Sequence, residues 1–336
     1  MANYKRLRYL LMATDPVHIG TGGYRLGRVD NSIVREPGTR VPKIPGTSLH
    51  GAARSYAAHL YETPEAAGQD HGGVANPDKN PVCYTFGYIK KEKGNEEDKV
   101  TAYSGVVNIF DAHVLLFPVH SMAGRPVWVS TVERLSEAGF DVSGVPEKWD
   151  EGAALLTWER RDALNLGWLM VGVAGQVTIT APDCWKNDKR WQAVKKIALV
   201  QDTLFSHIVN SNLEVRTSVA IDPERGAAKD KALFTYEVLP RATFLSCEVV
   251  LDDYRDGFPD EKCGAGKTAK NNPLPGNKWK NPLDVVRAGL KMMEWLGVGG
   301  MSTRGFGRLA IVGEPLEQIY DKEERQDGDG QPADKS

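Results

Sequence analysis

The segment GVGGMSTRGFG, residues 297–307, sets Ser302, Thr303 and Arg304 among five glycines. It neither ends in Lys-Ser/Thr nor opens a helix after a strand, which excludes a Walker-type ATPase loop. Backbone N–H groups beside two hydroxyls and a guanidinium suit phosphate oxygens, while the plainer reading is a pliant turn from helix to strand. A second candidate anion site gathers at the start of the helix expected in IPGTSLHGAARSYAAHLYE. Free N–H groups and the dipole of that helix end attract negative charge, and Lys43, Ser48, His50 and Arg54 cluster nearby. A capped helix with ordinary surface charges accounts for the same residues.

Asp30, in GRVDNSIVRE, is flanked by Arg25, Arg28 and Arg35. A carboxylate among arginines forms an ion pair or a turn; against RNA it can instead hold a divalent ion or accept a hydroxyl proton. His18, in DPVHIG, suits acid–base chemistry, a structural hydrogen bond or an RNA contact. His71 and Cys83 bracket HGGVANPDKNPVC but supply only two of the roughly four ligands a zinc site needs. Asp111 and His113 share one side of a strand and form a polar pair, a sheet hydrogen bond or nothing.

Positioning these groups requires a set of elements that hydrophobic periodicity outlines. Residues 4–13 read as a buried strand and the glycine-rich stretch 20–27 as a loop. Thr47 or Ser48 caps the first helix, whose apolar face is Leu49, Ala52, Ala53, Tyr56 and Leu60. Residues 64–104 read mostly as a surface insertion, followed by three β-type runs, GVVNIF, HVLLFPV and PVWVSTV, separated by turns. A helix is predicted over 189–209, with Val194, Ile197, Leu204, Phe205 and Ile208 inward. LEVRTSVAID and ALFTYEVLP flank the polar PERGAAKDK as a long hairpin. After a strand in ATFLSCEVVL and an irregular loop over 256–280, a helix over 281–296 takes Asn281 as its cap, Pro282 in its first turn and Gly297 as its stop. RLAIV closes the sheet, and the tail after Gly313 is expected to be disordered. This order predicts an α+β fold with helices on one face of an antiparallel sheet, most simply a ferredoxin-like core with insertions.

Composition sets the limits. Hydrophobic residues make up 41% and charged residues 26% of 336, enough for a substantial core. No apolar run approaches the roughly 20 residues that cross a bilayer, and the basic N-terminus lacks a cleavage site, so neither a membrane segment nor a signal peptide is expected. Cys83, Cys184, Cys247 and Cys263 form no C-x-x-C pair, which fits a reducing cytoplasm. The net charge of −2 hides an asymmetry: residues 1–60 hold nine Lys/Arg against three Asp/Glu, and residues 314–336 three against eight. A basic working end with an acidic tail suits a protein that grips a polyanion, although scattered surface charge gives the same sums.

Taken in order, DPVHIGTGG, LGRVDNSIVRE, PKIPGTSLHGAARS, SGVVNIFDAHVLLFPVHS, EVRTSVAID with ALFTYEVLP, and GGMSTRGFGRL resemble the RAMP superfamily. Within it they are most similar to the Cmr-type backbone subunit of type III-B CRISPR effector complexes. The resemblance implies a modified ferredoxin-like, RNA-recognition-motif core over residues 1–312 with insertions near 64–104 and 135–190, a β-hairpin thumb at 211–240 and an acidic tail at 313–336. It implies a cytoplasmic ribonucleoprotein in which copies of the chain stack along a guide RNA with other type III effector subunits, each thumb kinking the duplex with complementary target RNA. Lys43, Ser48, His50, Arg54, Arg216, Ser302, Thr303 and Arg304 become the expected RNA contacts. Asp30 takes the place of the aspartate that cleaves target RNA with Mg²⁺ or another divalent ion, and is also the expected metal ligand, with His18 and Glu237 as helpers. The implied reaction is attack by the target's own 2′-hydroxyl; the alternative is a scaffold that holds RNA without cutting. Zinc is not expected.

Overall fold

Along Asn3–Ala13 the side chains of Leu7, Tyr9, Leu11 and Ala13 enter one buried cluster and Leu10 another, so this first strand separates two cores. A strand buried on both faces belongs inside a sheet. In the computed structural model, which describes residues 3–22, 29–68, 71, 73, 74, 76–92, 99–124, 126–255, 257–259 and 279–318, it pairs antiparallel with Phe244–Asp253 on one side and Leu309–Gln318 on the other. Phe244–Asp253 pairs in turn with Val107–Val119, again antiparallel. Beyond Val107–Val119 the sheet continues through Val127–Ser130, Ile197–Leu199, Ala153–Leu156, Leu169–Gln176 and Leu164–Leu166, with parallel pairs among them. The result is an α+β fold built on one mixed sheet of ten strands.

Two helices cover one face of the antiparallel part. Gly46–Leu60 follows the first strand, and Pro282–Leu296 lies between Phe244–Asp253 and Leu309–Gln318. Leu49, Ala53 and Ala57 of the first share a core with Val285, Val286, Leu290 and Met293 of the second, below Leu7, Tyr9 and Leu11 of the sheet. The crossing is close: a Cβ on Gly289 would stand 2.2 Å from the carbonyl oxygen of Ala53. The C-terminal helix has the predicted ends, with the Asn281 side chain accepting from the Asp284 N–H at 3.1 Å and Gly297 at φ +81° as its stop.

Elsewhere the structure departs from the sequence reading. The first helix begins at Gly46 after Pro45 and has no side-chain cap from Thr47 or Ser48. GVVNIF and HVLLFPV are one strand of 13 residues without a turn. The span 189–209 is not a single helix: Lys189–Gln192 is one turn, Ile197–Leu199 a strand and Asp202–Ser211 a helix. A short, wholly buried apolar run reads alike as helix or strand. The stretch 64–104 holds the helix Pro81–Phe86, capped by Asn80, whose six residues are all buried. Residues 314–318 extend the last strand, where Trp185 Nε1 donates to the Glu314 carbonyl at 2.9 Å. The expected loop 20–27 is described only to residue 22, and Cys263, most of 256–280 and the tail from 319 lie outside the described residues.

Gly289→Ala gains helix propensity of about 1 kcal/mol but forces a methyl into the Ala53 carbonyl. Overpacking outweighs propensity, and a net loss of about 1–2 kcal/mol is expected in equilibrium denaturation. An unchanged unfolding midpoint would refute the close crossing.

Candidate functional site

The hairpin Glu214–Ile221 and Ala228–Val238 stands apart from the large sheet as its own two-stranded ribbon. Strand alternation gives it two faces. On one, Arg216 lies opposite Tyr236 and Ser218 opposite Phe234, with the Ser218 and Tyr236 hydroxyls 2.6 Å apart. Tyr236, Val238 and Phe306 form a small core beneath this face, with Phe234 and Met301 against it. The Arg216 guanidinium stacks over the Phe306 ring at 4.9 Å and Arg304 over Phe234 at 5.8 Å. A guanidinium laid on a ring keeps its N–H edge free for acceptors; Arg216 spends one donor on Glu214, at 2.5 Å. Ser302, Thr303 and Arg304 form an exposed single turn between left-handed Met301 and Gly305.

Asp30 lies against the other face. Its Oδ2 accepts from the Thr235 N–H at 2.7 Å and from the Thr235 hydroxyl at 2.9 Å, and its own N–H donates to Thr235 Oγ1 at 3.1 Å. Oδ1 has no hydrogen-bond partner among the described residues, and the side chain is exposed. The Thr235 N–H, then its hydroxyl, hold the Asp30 carboxyl below its ordinary value. Of the flanking arginines, Arg25 and Arg28 lie outside the described residues. Arg35 turns to Glu237, its Nη2 2.7 Å from Oε2, and to Asn210 Oδ1 at 3.1 Å.

The two expected catalytic helpers have tasks within the fold. The Glu237 carboxylate is neutralised by Arg35, with little of either side chain exposed. His18 is 5% exposed; its Nδ1 donates to the Glu237 carbonyl at 2.7 Å, and its own carbonyl accepts from the Gly300 N–H at 3.0 Å. It fastens the hairpin base to the glycine loop.

The first helix also differs from its expected role. Asp111, from the neighbouring strand, accepts from the Gly46 N–H at 2.7 Å and so occupies the positive helix end. Lys43 sits between Asp111 and Glu36, at 2.6 and 3.0 Å. Hydrogen bonds that Lys43 donates to Asp111, then to Glu36, raise its ammonium above its ordinary value. Burial pushes the Asp111 carboxyl up, but Lys43 and the Gly46 N–H outweigh it and hold it below its ordinary value. With His113, these carboxylates are the one group of three close potential metal ligands among the described residues, and the lysine ammonium fills it. Arg54 is turned inward to the Ala66 and Gly87 carbonyls, at 2.9 and 3.0 Å, and to the His71 ring. Burial, then the Arg54 charge, pushes the half-buried His50 ring toward its neutral form, where it packs edge-on to Phe86. Ser48 alone of this group meets the glycine loop: with Ala52, Ser55, Tyr56, Gly297, Val298, Gly299 and Ser302 it lines a groove of about 300 Å³.

The family model described as the RAMP superfamily matches residues 10–310, nearly the whole described chain. The chain belongs to the RAMP superfamily. Its sequence is 25% identical over 249 residues to the CRISPR system Cmr endoribonuclease Cmr4 of Pyrococcus furiosus, covering 69% of this chain and 77% of that protein. Its fold is similar to a chain of a type III-B Cmr-beta complex solved by cryo-electron microscopy bound to cognate target RNA, with a TM-score of 0.56 and 14% identity over 91% of this chain and 96% of that one. A crystal structure of Cmr4 gives a TM-score of 0.53 with 18% identity, over 93% and 98% of the two chains. At these identities the structural likeness is one of fold. In this RAMP chain, sequence reasoning missed Thr235 and the aromatic set Phe234, Tyr236 and Phe306. The alternation in ALFTYEVLP puts Phe234 and Tyr236 on one hairpin face and Thr235 on the other, a signal that was there to read.

Asp111→Asn weakens both the helix-end contact and the Lys43 pair, with an expected loss of about 1–2 kcal/mol at neutral pH. Because folding lowers the Asp111 value, this contribution is complete above the ordinary 3.8 and is lost as pH falls through the folded value. Denaturant melts of parent and variant should therefore differ at pH 7 and converge in acid; a gap that widens in acid would contradict this.

Proposed function

We propose that this chain is a backbone subunit of a type III CRISPR ribonucleoprotein, holding guide RNA and cutting complementary target RNA at Asp30. The observation that carries the reading is an exposed carboxylate pinned by one oxygen to the base of a free-standing hairpin, with its second oxygen open. The order Leu309–Gln318, Asn3–Ala13, Phe244–Asp253, Val107–Val119, with a helix in each half, supports a ferredoxin-like core. The hairpin, exposed from Val219 to Ile221 and again from Ala227 to Lys229, supports the thumb.

Arg216, Arg304, Ser302 and Thr303 would contact phosphates, since such groups fix register and leave sequence to base pairing with the guide. Ser48, in the shared groove, joins them. Lys43 and Arg54, satisfied within the fold, serve the architecture that holds these contacts. Mg²⁺ keeps several waters and takes one or two carboxylates beside substrate phosphates, which an exposed Asp30 with Oδ1 unbonded among the described residues fits. When bound there, the ion would offset negative charge developing on the phosphate.

In the reaction the target's 2′-oxygen bonds to the adjacent phosphorus as the P–O5′ bond breaks. The 2′-proton is lost, the departing 5′-oxygen gains one, and a 2′,3′-cyclic phosphate and a 5′-hydroxyl result. In-line alignment needs a kinked backbone, which a hairpin set against the duplex can impose. Held below its ordinary value by Thr235, the Asp30 carboxylate is a weak proton acceptor, which favours a charge-holding and orienting role over that of general base.

The test is cleavage of labelled guide-complementary RNA in Mg²⁺ by the assembled complex. Asp30→Asn should reduce the rate by about 100-fold or more at equal target binding. Equal cutting by both, or cutting by neither, leaves the scaffold reading in its place. Separately, Arg216→Ala and Arg304→Ala should each weaken RNA binding alike for unrelated guide sequences and lower the salt slope by about 1. An unaltered slope would remove them from the interface.

A further inference from the structure

Asp30 and Thr235 are 205 residues apart in sequence yet share three hydrogen bonds, and each group of Thr235 that can bond the loop does so. The Thr235 N–H and hydroxyl both end on Oδ2, at 2.7 and 2.9 Å, while the hydroxyl oxygen also accepts the Asp30 N–H at 3.1 Å. The adjoining main chain continues the joint: the Asn31 N–H donates to the Thr235 carbonyl at 3.0 Å and the Glu237 N–H to the Asn31 carbonyl at 3.0 Å. A short aspartate on an exposed loop has no other anchor among the described residues to fix the rotation of its carboxylate. Two donors converging on one oxygen do fix it, and they decide which oxygen remains open.

We propose that Thr235 is the positioning residue of the cleavage site, aiming Oδ1 of Asp30 at the RNA and coupling that aim to the hairpin. The inference rests on the reading of Asp30 given above. Thr235 belongs to the hairpin strand Ala228–Val238 and lies opposite Thr217, so it moves with the ribbon. The hairpin face it occupies also carries Val215, Val219 and Leu233, which are exposed. A nucleic-acid backbone bent over that face therefore meets a carboxylate whose place is set by the same element that bends it. The joint with Asn31 is a main-chain one and keeps the loop docked even without the hydroxyl, so Thr235 should affect the aim of the carboxylate more than the fold.

The experiment uses the assembled complex under single-turnover conditions, with Asp30→Asn, Thr235→Val and Thr235→Ser measured for cleavage rate, target affinity and thermal midpoint. Valine keeps the shape and the N–H but removes the hydroxyl; serine keeps the hydroxyl. Thr235→Val should cut about 10- to 100-fold more slowly with target affinity and thermal midpoint unchanged, and Thr235→Ser should restore most of the rate. Thr235→Ala serves as the second hydroxyl-free variant if the valine chain does not assemble. Parental cutting by the hydroxyl-free variants while Asp30→Asn is inactive overturns the role of Thr235 and leaves the cleavage reading standing. Parental cutting by Asp30→Asn overturns the reading itself. Parallel loss of rate, affinity and midpoint, or failure of serine to rescue, makes Thr235 a structural residue and overturns the inference.

Discussion

The segment Pro16–Ile19 is held between two elements from the far end of the chain, and the whole candidate site depends on that insertion. Val17 exchanges backbone hydrogen bonds with Leu239 at the foot of the hairpin, both at 2.9 Å. On the other side the Gly300 N–H reaches the His18 carbonyl and the Gly307 N–H reaches the Pro16 carbonyl, at 3.0 and 2.8 Å. The approach leaves no room for side chains: a Cβ on Gly299 would stand 2.5 Å from the His18 carbonyl oxygen, and that residue has φ +86°. Packing thus explains the inner glycines of GVGGMSTRGFG, while Ser302, Thr303 and Arg304 stand exposed at its crest.

The same distinction settles how charge is used. The excess of basic residues near the N-terminus suggests a polyanion-binding end. In the folded chain Arg6 and Arg8 pair with Glu248, Arg35 with Glu237, and Lys43 with Glu36 and Asp111. These cations bind elements of the fold to one another, as partly buried charges must when water is withdrawn from them. Under the function proposed above, the arginines that meet RNA are instead Arg216 and Arg304, from separate segments, each stacked on a ring of the hairpin base or glycine loop. Net charge along a sequence cannot tell these uses apart, because partners in ion pairs are distant in sequence.

What could be read from the sequence was what local chemistry decides. Asn281, Pro282 and Gly297 mark the ends of the C-terminal helix by capping rules alone, and the polar PERGAAKDK between two β-type runs marks the hairpin turn. Ile197–Leu199 was not legible, because three buried apolar residues carry no period and only their neighbours Val127–Ser130 and Ala153–Leu156 make them a strand. The Asp111 contact with Gly46 was hidden for the same reason: it replaces a local cap with a carboxylate 65 residues away. Asp30 could be named as a candidate, but the Thr235 seat that sets its orientation exists only after the hairpin has docked.

That docking also explains why the carboxylates of Asp30 and Glu237 meet partners of different charge. Thr235 and Glu237 are two apart on the same hairpin strand and so face the same way. Beside Glu237 stands Arg35, which compensates its charge at 2.7 Å in a site that excludes most water. Beside Thr235 stands Asp30, which among the described residues meets only neutral donors. A neutral N–H and hydroxyl orient a carboxylate and strengthen its ionised form without cancelling its charge, whereas a guanidinium does cancel it. Arg216 and Arg304 lie across the ribbon from Asp30, on the face of Phe234 and Tyr236. The thickness of a single two-stranded ribbon therefore separates the ring-stacked Arg216 and Arg304 on one face from the Asp30 carboxylate on the other, and under the function proposed above that spacing lets both meet one RNA strand without neutralising each other.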